Sequence, residues 1–152
     1  MCGGIGGEVK SGGNAFQVSA SQFRIIRERT MDVLIVDDNP SARSVVRALF
    51  ECDSDFSVCG EAENGLEGIE KAVELHPGLI IMDLSMPVMN GLDAAREINR
   101  VMPSVAIILF TAHGNLQKLE LLLSAGICSI VDKADPAMLI DVARDLHGQN
   151  AA

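Results

Sequence analysis

The feature that most constrains this chain is a repeated pair of patterns. A short apolar run ends abruptly in polar residues, and a segment with helical spacing follows it. Val33-Leu34-Ile35-Val36 is the clearest run, and it stops at Asp37-Asp38. A strand with no polar residue at alternate positions has both faces covered, as in the interior of a parallel sheet. Further strand-forming runs span residues 56–62, 79–82, 105–110 and 127–131. The third stops at Asp83, the fourth at Thr111, and the fifth is followed by Asp132-Lys133.

The segments between these runs have helical period. Residues 40–52 open on Pro40, which suits a first helical turn, and place Ala42, Val45, Val46 and Leu49 inward. Asn64-Gly65-Leu66-Glu67 resembles a capping box, with Leu66, Ile69 and Val73 as the buried stripe of the next helix. His76-Pro77-Gly78 stops that helix. Residues 91–102 turn Leu92, Ala95 and Ile98 inward, and Pro103 ends them. A Leu-rich helix over residues 116–125 is closed by Gly126. Asp135-Pro136 begins the last helix, with Leu139, Val142, Ala143 and Leu146 facing in. Five successive βα units predict an α/β, doubly wound, five-stranded parallel sheet with helices on both faces. In such sheets the ligand site lies beyond the carboxyl ends of the strands.

A length of 152 residues, 48% of them hydrophobic and 22% charged, fits one folded domain. Aromatics are 3% with no Trp or Tyr, so an aliphatic core is expected and base-stacking surfaces are not. The net charge of −9 is uneven: residues 1–30 carry +2 and the remainder −11. An acidic body repels phosphate backbones and suits a cation or a basic partner, so no nucleic-acid contact is expected from this chain. Cys2, Cys52, Cys59 and Cys128 form no CxxC pair, and His76, His113 and His147 form no HExxH. The last three cysteines read as buried packing residues in a reducing compartment. Neither a membrane-length apolar stretch nor a leader is evident, so the expected location is the cytoplasm.

Residues 1–30 read as a flexible Gly-rich arm, 31–148 as the folded domain and 149–152 as a tail. The Gly4–Ser11 run imitates a phosphate-binding loop, but Val9 stands where Gly is needed before Lys10. Residues 22–29 could form a short basic helix with Phe23 and Ile26 on one side. Met31, directly before the first strand, is an alternative start.

The strand ends carry the chemistry. Asp37, Asp38 and Asp83 come from two strands, Thr111 from another, and Lys133 follows the last. Clustered carboxylates repel, and a hard divalent cation such as Mg²⁺ resolves that conflict. An ammonium and a hydroxyl beside them complete a pocket for a phosphoryl group.

Val33-Leu34-Ile35-Val36-Asp37-Asp38-Asn39, Ile81-Met82-Asp83-Leu84-Ser85-Met86-Pro87-Val88-Met89-Asn90-Gly91, Thr111-Ala112 and Lys133 together resemble the bacterial response-regulator receiver domain. The resemblance covers about residues 31–148 and implies a flavodoxin-like (βα)5 fold with strand order 2-1-3-4-5. It implies that Asp83 is the phosphoacceptor for a phosphohistidine, and that Asp38 and Asp83 ligate Mg²⁺ directly. Asp37 would ligate directly or through water, and the Ser85 backbone carbonyl would add a ligand. Lys133 would pair with Asp83 before the reaction and with the phosphoryl group after it, and the Thr111 hydroxyl would turn toward that group. The partners implied are a histidine kinase or phosphotransfer protein and an output protein not identified by the sequence. One departure stands out: the family often has an aromatic three residues before the Lys, and this chain has Ile130. Ser85 and His113 occupy positions that tune phosphoryl lifetime in the family. Leu121, with the Ile130 region, is a candidate partner or homodimer face.

Three functions compete at this stage. The first is a stand-alone, non-enzymatic receiver in a phosphorelay, and the second is the receiver portion of a DNA-binding transcriptional regulator. The stretches around Cys59–Gly65 and Met89–Asp93 resemble receivers that precede helix-turn-helix domains. The third is an Asp-nucleophile phosphatase. Such enzymes usually carry a DxD-type motif on the first strand and a cap, whereas this chain has adjacent Asp37-Asp38.

Overall fold

A computed structural model of the chain describes residues 30–112 and 123–151. The elements are β1 (Met31–Val36), α1 (Pro40–Glu51), β2 (Phe56–Ala62), α2 (Gly65–Leu75), β3 (Leu79–Met82), α3 (Gly91–Val101), β4 (Ala106–Thr111), β5 (Ile127–Asp132) and α4 (Ala137–Ala151). The five strands form one sheet in the order β2-β1-β3-β4-β5, and every neighbouring pair is parallel. The expected α/β fold and strand order are what the chain adopts. The arm over residues 1–29, His113 and most of the Leu-rich helix expected over residues 116–125, including Leu121, lie outside the described residues.

Successive strand residues point to opposite sheet faces, which divides the core in two. Leu34, Val36, Ile80, Met82, Ile107 and Leu109 pack with Ala72 of α2 and Ala94, Ala95 and Ile98 of α3. Val33, Ile35, Ile81, Ile108 and Phe110 pack on the other face with Val46 and Phe50 of α1 and Leu139 and Ala143 of α4. The four residues of β3 and the six of β4 are all buried. This is the reason their sequences show no polar alternation.

Two helix faces differ from expectation. On α1 the buried pair is Val46 and Phe50, while Val45 is exposed. On α2 the buried positions are Gly65, Gly68 and Ala72, and Leu66 and Val73 face out. The helix lies so close to β1 that a Cβ on Gly68 would sit 3.0 Å from a Val36 methyl. Small residues make that approach possible, so the inward stripe is set by size and is offset by one position from the large apolar residues. The cysteines differ too: Cys52 and Cys128 are exposed and Cys59 is half-buried.

Both edge strands are bulged. The β1–β2 register passes from Val33↔Val58 to Leu34↔Gly60, and β4–β5 passes from Ile107↔Ile127 to Ile108↔Ser129. Cys59 and Cys128 are thus the extra residues, at positions where bulges commonly blunt an edge. The β2 bulge also changes facing. Phe56 and Val58 pack on the α1 side, Cys59 packs on the α2 side, and Glu61 returns to α1. There Glu61 accepts from Arg43 Nε at 2.8 Å and from Arg47 Nε at 2.6 Å. The Arg47 hydrogen bond, with that of Arg43, holds the Glu61 carboxyl below its usual range despite partial burial. None of the described helices is long and apolar enough to cross a membrane.

A depressed carboxyl stabilises the fold above its unfolded pKa of about 4.3 and loses that contribution as pH falls through the lower folded value. Urea midpoints followed by circular dichroism are therefore expected to favour wild type over Glu61→Gln at pH 7, with the difference closing below about pH 4. A second test concerns Gly126, whose φ is +85° and whose Cβ would lie 2.4 Å from Asn99 Cγ. Gly126→Ala is expected to cost about 2 kcal/mol in the same assay, combining left-handed strain with overpacking.

Candidate functional site

The site is assembled by register. Val36 and Met82 are paired across β1 and β3, so the next residues, Asp37 and Asp83, emerge side by side. The backbone ladder continues past the strand ends: Asp37 N–H donates to Ala62 O at 3.0 Å and Asp83 N–H to Val36 O at 2.9 Å. Thr111 is paired with Asp132 at the ends of β4 and β5, and Lys133 N–H donates to Thr111 O at 3.0 Å. Asp37, Asp83 and Thr111 are the buried polar residues among the described ones, while Asp38 is exposed.

Asp37, Asp38 and Asp83 each offer an oxygen within 4.8 Å of the other two. Lys133 Nζ lies 2.7 Å from Asp37 Oδ2 and 3.5 Å from Asp83 Oδ2. The expected Lys133–Asp83 pairing is thus shared, and the shorter contact goes to Asp37, because one ammonium serves two adjacent buried carboxylates. Burial and then the Asp37 charge push the Asp83 carboxyl above its usual range, with Lys133 and the Leu84 N–H opposing them. Burial works against the Lys133 ammonium, but its hydrogen bond to Asp37 and the two carboxylate charges raise its pKa.

The carboxylates differ in engagement. Asp37 uses both side-chain oxygens, Oδ1 accepting from the Asn39 N–H at 2.9 Å and Oδ2 from Lys133. Asp38 is turned to solvent and has no hydrogen-bond donor among the described residues. An all-oxygen set carrying this much negative charge fits a hard divalent cation, and Mg²⁺, which retains water ligands, suits a site open on one side.

The loop after Asp83 is braced against the strand end. Gly91 N–H donates to Leu84 O at 2.8 Å and Gly65 N–H to Met89 O at 3.1 Å. A Cβ on Gly91 would lie 2.1 Å from Asp83 O, so only glycine fits there. The Asn90 side chain caps α3, accepting from Asp93 N–H at 2.9 Å. Val88 has φ +69° and is 76% exposed, a left-handed conformation that costs a β-branched residue about 1–3 kcal/mol. Ser85 is exposed in this loop. Ile130 sits opposite Leu109, half-buried against the α2–α3 core.

Sequence reasoning missed one participant. Arg43 Nη1 donates to the backbone carbonyl of Asp37 at 2.6 Å. Its only signal is a position one turn into the helix that follows the acid pair, which ordinarily means a solvated helix face.

Comparison with known proteins agrees with this geometry. A family profile described as "Response regulator receiver domain" matches residues 33–144. The chain is 38% identical over 131 residues to a protein-glutamate methylesterase/protein-glutamine glutaminase of Methanosarcina acetivorans, covering 79% of this chain and 37% of that protein. It is 37% identical over 105 residues to the transcriptional regulatory protein LiaR of Bacillus subtilis, covering 69% and 50%. Among solved structures, the response regulator domain of Thermotoga maritima CheB superposes with a TM-score of 0.73 at 27% identity, covering 79% of this chain and 98% of that one. The chain therefore spans about a third to a half of the length of these curated relatives.

Magnesium at about one hundred times its dissociation constant is expected to raise unfolding stability by about 2.7 kcal/mol. Asp38→Asn, at an exposed position, is expected to keep wild-type stability in chelator and to lose most of that gain. An equal gain in Asp38→Asn would remove Asp38 from the ligand set.

Proposed function

Since the chain belongs to the response-regulator receiver family, we propose that it accepts a phosphoryl group from a phosphohistidine donor onto Asp83 in a phosphorelay. The observation that carries this reading is the convergence of three carboxylates within 4.8 Å of one another, with Lys133 reaching two of them. In the reaction an Asp83 carboxylate oxygen forms a bond to phosphorus. The P–N bond to the donor imidazole breaks, and its electron pair returns to the ring. Asp38, Asp83 and the Ser85 backbone carbonyl would hold Mg²⁺, with Asp37 contributing directly or through water. Bound there, Mg²⁺ supplies positive charge to the phosphoryl oxygens.

Lys133 orients and neutralises. Before transfer its ammonium compensates Asp37 and Asp83, and afterwards it would donate to a phosphoryl oxygen. The Thr111 side chain, buried at the end of β4, would donate its hydroxyl to another oxygen. That movement biases two arrangements of the β4–β5 end, a coupling of about 1–3 kcal/mol. Ile130 carries no ring to swing, so the bias would be read through packing against Leu109. On this reading the chain is a phosphoacceptor in the cytoplasm that acts through protein contact, its partners being a kinase or phosphotransfer protein and an output protein.

A second reading, that the domain is the receiver portion of a longer regulator, is favoured by the share of each curated relative that it spans.

Incubation with acetyl phosphate and Mg²⁺, followed by intact mass, is expected to add one phosphoryl group. Chelator and Asp83→Asn are each expected to abolish it. Label retained in Asp83→Asn would refute the assignment of the acceptor, and catalytic turnover of a phosphomonoester would favour a phosphatase instead.

A further inference from the structure

Asp37 is held at every polar group. Its N–H is tied to β2, its Oδ1 to Asn39 and its Oδ2 to Lys133, and its carbonyl oxygen accepts from Arg43 Nη1 at 2.6 Å. That last contact fixes the peptide joining Asp37 to Asp38, and therefore the direction in which the solvent-facing Asp38 carboxylate leaves the chain. Arg43 is itself constrained. Its side chain is 14% exposed, and its Nε donates to Glu61 Oε1 at 2.8 Å. Glu61 Oε2 accepts from Arg47 Nε, and Arg47 Nη1 donates to Glu51 at 2.9 Å. The contacts run from Glu61, just past the β2 bulge, through Arg43 of α1 to the β1–α1 loop, with Arg47 bracing Glu61 from the same helix.

We infer that Arg43, oriented by Glu61, is a positioning residue for magnesium: it sets the Asp37–Asp38 peptide so that both carboxylates converge on Asp83. This inference rests on the phosphoacceptor reading above. Arg43 touches neither metal nor phosphoryl group, and it acts through the Asp37 carbonyl. Its guanidinium suits the task because its rigid fork binds Glu61 through Nε and the carbonyl through Nη1, whereas a lysine offers all its donors from a single nitrogen. Outer groups that orient metal ligands typically change affinity by about 10- to 100-fold when removed.

Charge and positioning predict opposite signs here. If Arg43 acted only through its positive charge, removing it would tighten the binding of a cation. If it positions the loop, removing it weakens binding. The experiment measures Mg²⁺ affinity by isothermal titration calorimetry and thermal stability by circular dichroism, in wild type, Arg43→Ala, Arg43→Lys, Glu61→Gln, Glu51→Gln and Gly126→Ala. Arg43→Ala is expected to raise the dissociation constant about tenfold. Arg43→Lys and Glu61→Gln are expected to fall between it and wild type, and Glu51→Gln to stay within about twofold. Gly126→Ala, destabilised away from the site, is expected to bind as wild type does.

Arg43→Ala binding within twofold of wild type, or more tightly, would overturn the inference. So would an equal loss of affinity in Gly126→Ala, which would reduce Arg43 to a contributor to global stability. If Arg43→Ala does not fold, Arg43→Lys and Glu61→Gln decide: wild-type affinity in both overturns the inference, and weakened affinity in both supports it. Wild type that takes no magnesium and no phosphoryl group would instead refute the phosphoacceptor reading on which the inference stands.

Discussion

Two carboxylates, Asp37 and Asp83, are buried side by side at the ends of adjacent central strands. Unit charges within 4.8 Å of one another repel by about 3.5 kcal/mol or more at an effective dielectric of about 20. Desolvation adds to that cost. The fold accepts this conflict because Lys133 reaches both groups and because the Asn39 N–H donates to Asp37 and the Leu84 N–H to Asp83. The compensation is incomplete: Asp83 remains harder to ionise than an ordinary aspartate, and its neighbour Asp38 adds a third carboxylate. A carboxylate cluster in that condition suits a hard divalent cation, whose charge would offset the repulsion.

The scaffold makes such a concentration of charge affordable in the folded state. Residues Val33–Val36, Leu79–Met82 and Ala106–Phe110 are apolar throughout and covered on both faces, so the strand ends are rigid and their spacing is set by the sheet. Around the rim the chain accepts local costs. Val88 is held left-handed, and Gly91 and Gly65 allow backbone approaches that any Cβ would block. These features cluster in and around the loop that follows Asp83, where close backbone approaches hold it against the strand end. The β2 bulge plays a corresponding part on the other side, since it turns Glu61 toward Arg43 and thereby ties the first acid pair to α1.

Much of this was legible in the sequence, and the reasons are specific. The uninterrupted apolar runs announced buried parallel strands, and parallel order alone brings Asp37, Asp83, Thr111 and Lys133 to one edge. The capping box at Asn64 was legible too, since its side chain accepts the Glu67 N–H at the start of α2, a local interaction that depends only on neighbouring residues. The facing of α2 was misread because the closeness of that helix to β1 favours Gly65, Gly68 and Ala72 over Leu66 and Val73. Of the cysteines expected to be buried, Cys52 is exposed at the C-cap of α1 and Cys128 is exposed at a bulge, which is a property of two strands in register.

What the amino-acid sequence determined by itself is the element order, the parallel sheet and the identity of the acidic and basic groups at the strand ends, because these follow from short-range periodicity and chain direction. Only the tertiary structure decided that Lys133 lies nearer Asp37 than Asp83, that Val88 is left-handed and that Arg43 reaches the Asp37 carbonyl. The first joins segments far apart in the chain, the second belongs to a loop tied to α2 through Met89 O, and the third needs Glu61 of β2 to hold Arg43, so each rests on register and facing, where a shift of one residue sends a side chain to the opposite face of the sheet.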